Sequence, residues 1–566
     1  MDRRAFLKSS LKTAAAVSAA GSGLILQGCS KAKDLDLVVA GGAVYDGSGG
    51  PPVEGDIGVA GGAIRETGRI RLSRAKTVVD ARGLAVSPGF IDVHDHTDTA
   101  LLVNPRAESA VRQGVTTLVS GQCGGSPFPL TAEAAAGMSE RLAKEYGLTA
   151  GWTDIRGFLA RIEAAGAALN YSTFVGNGTV RAAAVGYDDR PASPAELERM
   201  KALVAEAMAG GALGLSSGLE YTPSSFASTE ELVALSRVAA AAGGVYATHM
   251  RNEDVAVLEA VDEALRVARE APIRLQISHL KIGDAANWPN LDALLANLEK
   301  ARAEGIDLRC DRYPYIAGAT TLGLLFPLWA REGTSEAFVA RLKDPALDAR
   351  LRAAMAEELA ERGTWETVLI SSVGTETNRW VEGLNVVEAS AKAGKEPYAF
   401  MRDLLIEEGG YAGMISFYGD EAVLERILSQ AYVGVGADAE AIAPYGPLSK
   451  GRPHPRNYGT FPRVLGRYVR ERKIVPLEEM VRKLTAMPAA HLGFVRRGRL
   501  EPGWAADLCV FDPATVADRA TFKEPAAYPE GIRHVVVNGL VVIADGEHTG
   551  RLPGKVLRKD ARGAVA

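Results

Sequence analysis

Gly89-Phe90-Ile91-Asp92-Val93-His94-Asp95-His96 places two imidazoles two residues apart, directly after an apolar run that predicts a buried strand. On an extended chain, residues i and i+2 point to the same side, so His94 and His96 can reach one cation from the end of a strand. Taken alone, an H-x-H pair is weak evidence for a metal site, because buried histidines are also common as hydrogen-bonded core residues. The rest of the chain decides between these two interpretations.

Three more candidate ligands, Cys123, His249 and His279, follow short apolar or β-branched runs of the same kind. The run before Cys123 breaks into two glycines directly after the thiol, which places the thiol where a strand meets a loop. Ala-rich segments with helical patterning, 229–242 and 254–270, precede the two histidine runs. Strands and helices therefore alternate, and a set of ligands at strand ends is favoured over a buried structural cysteine and two core histidines.

This alternation predicts an α/β protein with a TIM-like (β/α)8 barrel of the metal-dependent hydrolase type. Candidate strands lie near residues 90–96, 116–123, 171–176, 212–216, 245–249, 274–279, 307–311, 368–373 and 433–438. These are nine candidates for eight barrel positions, so one of them is extra. The charged, Ala- and Leu-rich segment 331–362 predicts a helical insertion, either as an ordinary outer helix of the barrel or as a lid.

Both ends of the chain have a different texture, with short β-like runs separated by glycines. We therefore predict a small β-sandwich domain that is built from residues 34–85 and 491–566 and flanks a barrel spanning 86–490. Cys509 lies in one of these runs, 506–511, and is interpreted as an ordinary core residue.

The composition excludes several classes of protein. The chain has 566 residues, of which 47% are hydrophobic, so it can bury a large core and is not disordered. Its net charge is −5, and it has no long basic run that would follow a phosphate backbone, so we predict no nucleic-acid partner. Its 4 cysteines are too few and too scattered for a disulfide framework.

The first residues are typical of an export signal. Arg3-Arg4 precede an apolar, small-residue run from about Thr13 to Leu26, and Cys29 follows Gln27-Gly28. Residues 1–33 thus predict a twin-arginine signal with a lipoprotein cleavage site, Cys29 being the lipidated residue. The alternative of a membrane-spanning anchor is disfavoured, because the apolar run is shorter than the ~20 residues that a span needs. We expect a periplasmic protein that the lipid anchors to the membrane.

A fifth candidate, Asp438, follows the Gly-interrupted run 433–437 in the position of a last barrel strand. Because a TIM-type barrel gathers the carboxyl ends of its strands on one face, Asp438 and His94 can converge although they are far apart in the chain. The alternative is a loop aspartate that caps the next turn.

Thiolate and imidazole ligands favour zinc, whereas magnesium and calcium prefer oxygen. With Cys123, His249 and His279 as ligands, one position stays open for water, whose pKa zinc can lower to ~7. Asp438 would take the proton and later return it to a departing amine. The residues thus predict a hydrolase.

At this point the chain resembles the N-acyl-D-amino-acid deacylases (D-aminoacylases) of the amidohydrolase superfamily. The similar segments are 87–98, Cys123-Gly124, 218–221, 248–251, 277–281, 313–315, Asp438, 454–463 and 502–508. The H-x-H pair and the segment 502–508 mark only the superfamily. The strand-ending cysteine and the 454–463 segment, HPRNYGTFPR, are more specific.

The resemblance implies zinc-dependent hydrolysis of the amide bond of N-acyl-D-amino acids, with Asp438 as general acid/base. It implies a tight zinc held by Cys123, His249 and His279, and a second, weaker site formed by His94 and His96 that shares Cys123. In the matching segments, Arg456, Lys281 and Tyr221 are the candidates for binding the substrate carboxylate. Each of these three is alternatively a structural or surface residue.

Two other functions compete with this prediction. One is a cyclic amidase or dipeptidase of the same superfamily, acting on hydantoin-like rings or β-aspartyl peptides, in which a carboxylated lysine usually bridges two metals. Cys123 is here the better bridge candidate. The other is a lipid-anchored binding protein without catalysis, which the presence of every metal and acid/base position disfavours.

Overall fold

A computed structural model describes residues 33–566 of the chain; nearly all of the predicted signal segment, including Cys29, lies outside this range. The strands are β1 (Leu35–Val44), β2 (Val53–Ala60), β3 (Ala63–Gly68), β4 (Ala75–Asp80), β5 (Ala85–Pro88), β6 (Phe90–Asp92), β7 (Val115–Ser120), β8 (Asn170–Thr173), β9 (Val175–Gly176), β10 (Gly214–Gly218), β11 (Val245–His249), β12 (Arg274–Ile277), β13 (Leu308–Asp311), β14 (Ala317–Thr321), β15 (Val368–Ser372), β16 (Gly413–Phe417), β17 (Val433–Gly434), β18 (Leu508–Phe511), β19 (Ile532–Val537), β20 (Leu540–Ala544) and β21 (Glu547–His548).

Helices separate most of the central strands. They are α1 (Ala100–Val103), α2 (Glu108–Val111), α3 (Ala132–Tyr146), α4 (Ile155–Ala165), α5 (Asn177–Ala184), α6 (Pro194–Ala209), α7 (Thr229–Ala241), α8 (Val257–Glu270), α9 (Leu291–Ala303), α10 (Leu328–Arg331), α11 (Ser335–Lys343), α12 (Asp348–Arg362), α13 (Val386–Ala393), α14 (Pro397–Glu407), α15 (Glu421–Ser429), α16 (Arg456–Arg463), α17 (Leu477–Leu484) and α18 (Ala486–Leu492). Within residues 33–566, none of the helices combines the length and the apolar character needed to cross a membrane.

The outer helices follow from local sequence. A capping box starts α6, in which the Ser193 and Glu196 side chains each bond the other residue's backbone N–H. In α8 the buried residues Val257, Val261 and Leu265 recur at the spacing of one helix face. That apolar face packs against the strands while the charged residues stay in solvent.

The central strands form two parallel sheets. One contains β6, β7 and β8, and the other runs β9, β10, β11, β12, β13, β17. Only Phe174 separates β8 from β9, so the chain itself links the sheets on one side. On the other side, the Asp438 N–H donates to the His94 carbonyl at 2.7 Å and the His96 N–H donates to the Ala439 carbonyl at 2.8 Å. The edges at β6 and β17 are therefore joined just beyond their carboxyl ends.

A glycine is required at this junction. A Cβ at Gly436 would lie 2.6 Å from the His94 Cβ and 2.9 Å from an Asp311 carboxylate oxygen, closer than real Cβ contacts. The absent side chain is what allows the 433–438 segment to approach His94.

The extra candidate strand is 368–373, which is not one of the parallel strands. It is β15, which pairs antiparallel with β16, and β16 pairs antiparallel with β14. This small sheet and helices α10–α14 bury a separate apolar cluster. The insertion thus extends over about 317–417 and contains the predicted helical segment 331–362 as α11, α12 and the end of α10. The apolar run 368–373 is buried against these helices. An apolar pattern predicts that a strand is buried, but it does not predict in which sheet the strand lies.

Strands from both chain ends share one further sheet, in the order β21, β20, β19, β18, β5, β1, β2, β3, with β4 on β1. The junction between the two ends is antiparallel and pairs Ser87 of β5 with Cys509 of β18. Cys509 is fully buried there, as expected for a core residue.

Asp507 connects this sheet to the parallel strands. Its carboxylate accepts hydrogen bonds from the Asn538 N–H at 2.7 Å and from the Asn170 amide at 3.2 Å, and it pairs with Arg497. Both members of the ion pair are more than nine-tenths buried. Because Asn170 begins β8, one carboxylate holds three separate segments together.

We expect Asp507→Ala to lower the free energy of unfolding by about 3 kcal/mol or more, since it leaves the Arg497 charge buried without a partner. Asp292→Ala is the matched control; its side chain is 82% exposed and lies 2.6 Å from Arg426. The control substitution should lower the free energy of unfolding by less than about 1 kcal/mol. Denaturant unfolding of the two variants measures the difference, and equal stabilities would contradict the assigned role of Asp507.

Candidate metal centre

The predicted ligands lie at or just beyond the carboxyl ends of the parallel strands. His249 is the last residue of β11, while Cys123 and His279 follow β7 and β12 within a few residues. The strands are shorter than predicted, so most of these side chains extend from loops. Cys123, His279 and Asp438 have left-handed backbones, with φ of 51°, 36° and 52°. Non-glycine residues rarely adopt this conformation, and it is often found at functional sites.

One group of ligand atoms is formed by Cys123, His249 and His279, whose atoms all lie within 4.8 Å of one another. The Cys123 Sγ lies 3.7 Å from the His279 Nε2. The two imidazole rings meet edge to face, with their centroids 4.5 Å apart. The structure therefore brings together the three residues predicted as the tight zinc ligands.

The second group contains His94, His96, Cys123 and Asp438, whose ligand atoms also lie within 4.8 Å of one another. The Cys123 Sγ lies 3.4 Å from the His94 Nε2, and the His96 Nε2 lies 3.0 Å from an Asp438 carboxylate oxygen. Cys123 belongs to both groups, as predicted for a residue shared by two metal positions.

The chemistry of these groups fits zinc. Burial opposes ionisation of the Cys123 thiol, but the neighbouring His94, His249 and His279 hold its pKa well below the usual value, so the sulfur is a thiolate. Both ring nitrogens of His249 and the Nδ1 of His94 are buried and make no hydrogen bond. A thiolate beside imidazole nitrogens that lack partners is the donor set that zinc prefers.

Asp438 lies beside these ligands and is paired with a cation. The Arg456 Nη1 donates to the Asp438 Oδ2 at 2.8 Å, and the Arg456 Nη2 donates to the Ala319 carbonyl of β14 at 3.2 Å. Burial would raise the pKa of Asp438, but Arg456, His94 and His96 hold that pKa well below its usual value. Asp438 is therefore a carboxylate at neutral pH and can accept a proton.

The predicted substrate-binding residues also lie at the site. The Lys281 ammonium pairs with Glu253 and lies 2.9 Å from the His279 Nδ1. The Tyr221 hydroxyl lies 3.2 Å from the Thr320 Oγ1 of the insertion. Lys281 and Arg456 thus both have a carboxylate partner in this structure, in Glu253 and Asp438 respectively.

Sequence reasoning missed three acidic residues of the site. Glu253 lies 2.9 Å from the His279 Nδ1, Asp311 lies 3.3 Å from the His94 Nδ1, and Glu220 lies 3.2 Å from the His249 Nε2. Carboxylates in such positions orient metal-binding imidazoles. Asp311 is the last residue of β13. An aspartate at the end of an apolar run is the same sequence signal that identifies Asp438 after β17. Glu253 lies in a loop without a distinctive pattern. Glu220 lies in the segment 218–221 that carries the resemblance, in which only Tyr221 is predicted as a site residue.

Comparison with known proteins identifies the group to which this arrangement belongs. A model described as "Amidohydrolase family" matches residues 77–543. An N-acyl-D-glutamate deacylase from Alcaligenes xylosoxydans xylosoxydans is 37% identical over 93% of this chain and 97% of its own.

Two solved structures are similar over 93% of this chain and 100% of theirs. One is an N-acyl-D-glutamate deacylase from Bordetella bronchiseptica with zinc and a phosphonate inhibitor that mimics the tetrahedral intermediate, 34% identical with a TM-score of 0.77. The other is a D-aminoacylase with a binuclear metal centre, 36% identical with a TM-score of 0.78. The chain therefore belongs to the amidohydrolase family, in the group that contains the D-aminoacylases and N-acyl-D-glutamate deacylase.

Proposed function

We propose that this protein is a zinc-dependent hydrolase that converts an N-acyl-D-amino acid and water into a carboxylate and a free D-amino acid. The observation that carries the proposal is the convergence of Cys123, His249 and His279 beside the Asp438 carboxylate. The similarity to D-aminoacylases over nearly the whole chain supports the same substrate class.

Cys123, His249 and His279 would hold one zinc tightly, and His94 and His96 would form a weaker second position that shares Cys123. When bound, zinc supplies a Lewis acid that polarises the amide carbonyl and lowers the pKa of water. The Glu253 carboxylate beside His279 and the Asp311 carboxylate beside His94 would fix the orientation of these rings.

Asp438 would move the proton. As a carboxylate it accepts a proton from the attacking water, whose oxygen forms a new bond to the acyl carbon. When the carbon–nitrogen bond breaks, Asp438 returns that proton to the departing amine. Arg456 keeps Asp438 ionised before the reaction, which suits the first of these steps.

The substrate carboxylate would be bound by Arg456, Lys281 and Tyr221. Arg456 can present a two-pronged fork and Lys281 a point charge. Arg456 is already paired with Asp438, and Lys281 with Glu253. The substrate would therefore share these two cations with the carboxylates of the site.

For the architecture, we propose that the eight parallel strands β6–β13 and β17, with β8 and β9 as one interrupted strand, form a TIM-like (β/α)8 barrel within residues 86–490. Residues 34–85 and 491–566 would form a β-sandwich domain. The backbone hydrogen bonds between the His94 and Asp438 segments support barrel closure. A crystal structure with a gap between these segments would contradict it.

We expect release of free amine from N-acetyl-D-amino acids and not from their L-enantiomers. Asp438→Asn should lower kcat/KM by at least about 100-fold, because the proton carrier is lost while the zinc ligands remain. Zinc content measured on the same sample should be unchanged. Asp188→Asn, whose side chain is 69% exposed, is the matched control and should retain activity. Full activity of Asp438→Asn would contradict the proposed role.

We further propose export by the twin-arginine route and lipid anchoring at Cys29 in the periplasm, which rests on the sequence alone. Membrane fractions from cells that express the full chain should contain the protein. Cys29→Ser should transfer it to the soluble periplasmic fraction, and Arg3→Lys with Arg4→Lys should retain it in the cytoplasm. Membrane association unaffected by Cys29→Ser would refute lipidation.

A further inference from the structure

We propose that Glu220 selects the side chain of the substrate and that N-acyl-D-amino acids with a cationic side chain, such as N-acetyl-D-lysine, are the preferred substrates. This inference rests on the proposed deacylase function and names its substrate class more closely. It is carried by the position, the charge environment and the exposure of one carboxylate.

Glu220 lies next to the reaction centre. It follows β10 by two residues, and its Oε2 is 3.2 Å from the Nε2 of His249. The neighbouring Tyr221 ring packs edge-on against the His249 ring at a centroid distance of 4.9 Å. A substrate whose amide reaches Cys123 and His249 therefore has Glu220 within reach of its other groups.

Glu220 and Asp311 are the carboxylates of the site that pair only with histidines, His249 and His94, and Asp311 is fully buried. Asp438 pairs with Arg456, and Glu253 pairs with Lys281. Within residues 33–566, Glu220 forms no ion pair with a lysine or arginine. A carboxylate in such a position attracts a cationic ligand group and repels an anionic one.

The Arg331 guanidinium bonds the backbone of Glu220, and within residues 33–566 it forms no ion pair with the Glu220 carboxylate. Arg331, at the end of α10, donates from its Nη1 to the Glu220 backbone carbonyl at 2.9 Å and from its Nε to the Phe326 carbonyl at 2.8 Å. Arg331 thus fixes the backbone of Glu220 against the insertion. The side-chain carboxylate stays available.

Glu220 also has the most exposed side chain among the four carboxylates Glu220, Glu253, Asp311 and Asp438. Its side chain is 21% exposed, compared with 8% for Glu253 and 11% for Asp438. The α-carboxylate of the substrate is assigned to Lys281 and Arg456, and the amide to the metal ligands. The substrate side chain is the remaining group that can approach Glu220 from solvent, and an acidic side chain there would place two negative charges together.

The test uses full-length, zinc-loaded enzyme and the N-acetyl derivatives of D-lysine, D-leucine and D-glutamate. We expect kcat/KM to be at least about tenfold higher for D-lysine than for D-glutamate, because the like-charge contact penalises the acidic substrate. Glu220→Gln should reduce this preference, measured as the ratio of the D-lysine to the D-glutamate kcat/KM on one preparation of the variant, at least about tenfold. Glu376→Gln, a 78% exposed glutamate of the insertion, is the matched control and should retain the preference.

Three other results would contradict the proposed role of Glu220. Equal or faster turnover of D-glutamate by the parent enzyme overturns the inference and leaves the deacylase function standing. Loss of zinc from Glu220→Gln overturns it as well, because Glu220 would then be a metal ligand. A parent enzyme that releases amine from none of the three substrates overturns both this inference and the proposed function.

Discussion

The Cys123 thiolate is the interaction on which the rest of the site depends. Its sulfur lies within 3.4 Å of one imidazole nitrogen and 3.7 Å of another. It belongs to two of the three groups of candidate ligands, the third being Glu220, His249 and Glu253. Ionisation of a buried thiol is unfavourable unless positive groups surround it, and here three histidines lower its pKa. The carboxylates behind the histidines then balance that positive charge.

The fold holds this concentration of charge in place by backbone contacts. Hydrogen bonds between the His94 and Asp438 segments join the two edges of the parallel strands at the height of the ligands. Three functional residues have left-handed backbones, a conformation that the surrounding packing must enforce. The insertion contributes β14, whose Ala319 carbonyl accepts from Arg456. The position of Asp438, the proposed acid/base residue, is thus tied to the insertion through the Arg456 guanidinium.

Much of this arrangement could be predicted from sequence, because apolar runs that end in His, Cys or Asp identify both a parallel strand and a ligand. The convergence of Cys123, His249 and His279 was predicted on this basis and is observed. Residues 368–373 are the extra one of the nine predicted strands, because their apolar pattern is satisfied by the separate core of the insertion.

Partners such as Glu253 beside His279, Glu220 beside His249 and Arg456 beside Asp438 could not be predicted. These contacts join loops whose geometry the whole fold sets, and no periodicity marks them. Arg456 was expected to bind substrate, and its observed pairing with Asp438 adds a second role that the sequence pattern does not contain. Local sequence patterns therefore predict the candidate ligands, whereas the charged partners of these ligands become visible only in the tertiary structure.

X-ray absorption at the zinc edge tests the central claim most directly. Protein loaded with one equivalent of zinc should show one sulfur at about 2.3 Å together with nitrogen or oxygen ligands at about 2.0 Å. Cys123→Ser should lose the sulfur signal, whereas Cys310→Ser, a buried thiol in β13, should retain it. A zinc environment without sulfur, or sulfur that persists in Cys123→Ser, would contradict a centre built on the Cys123 thiolate.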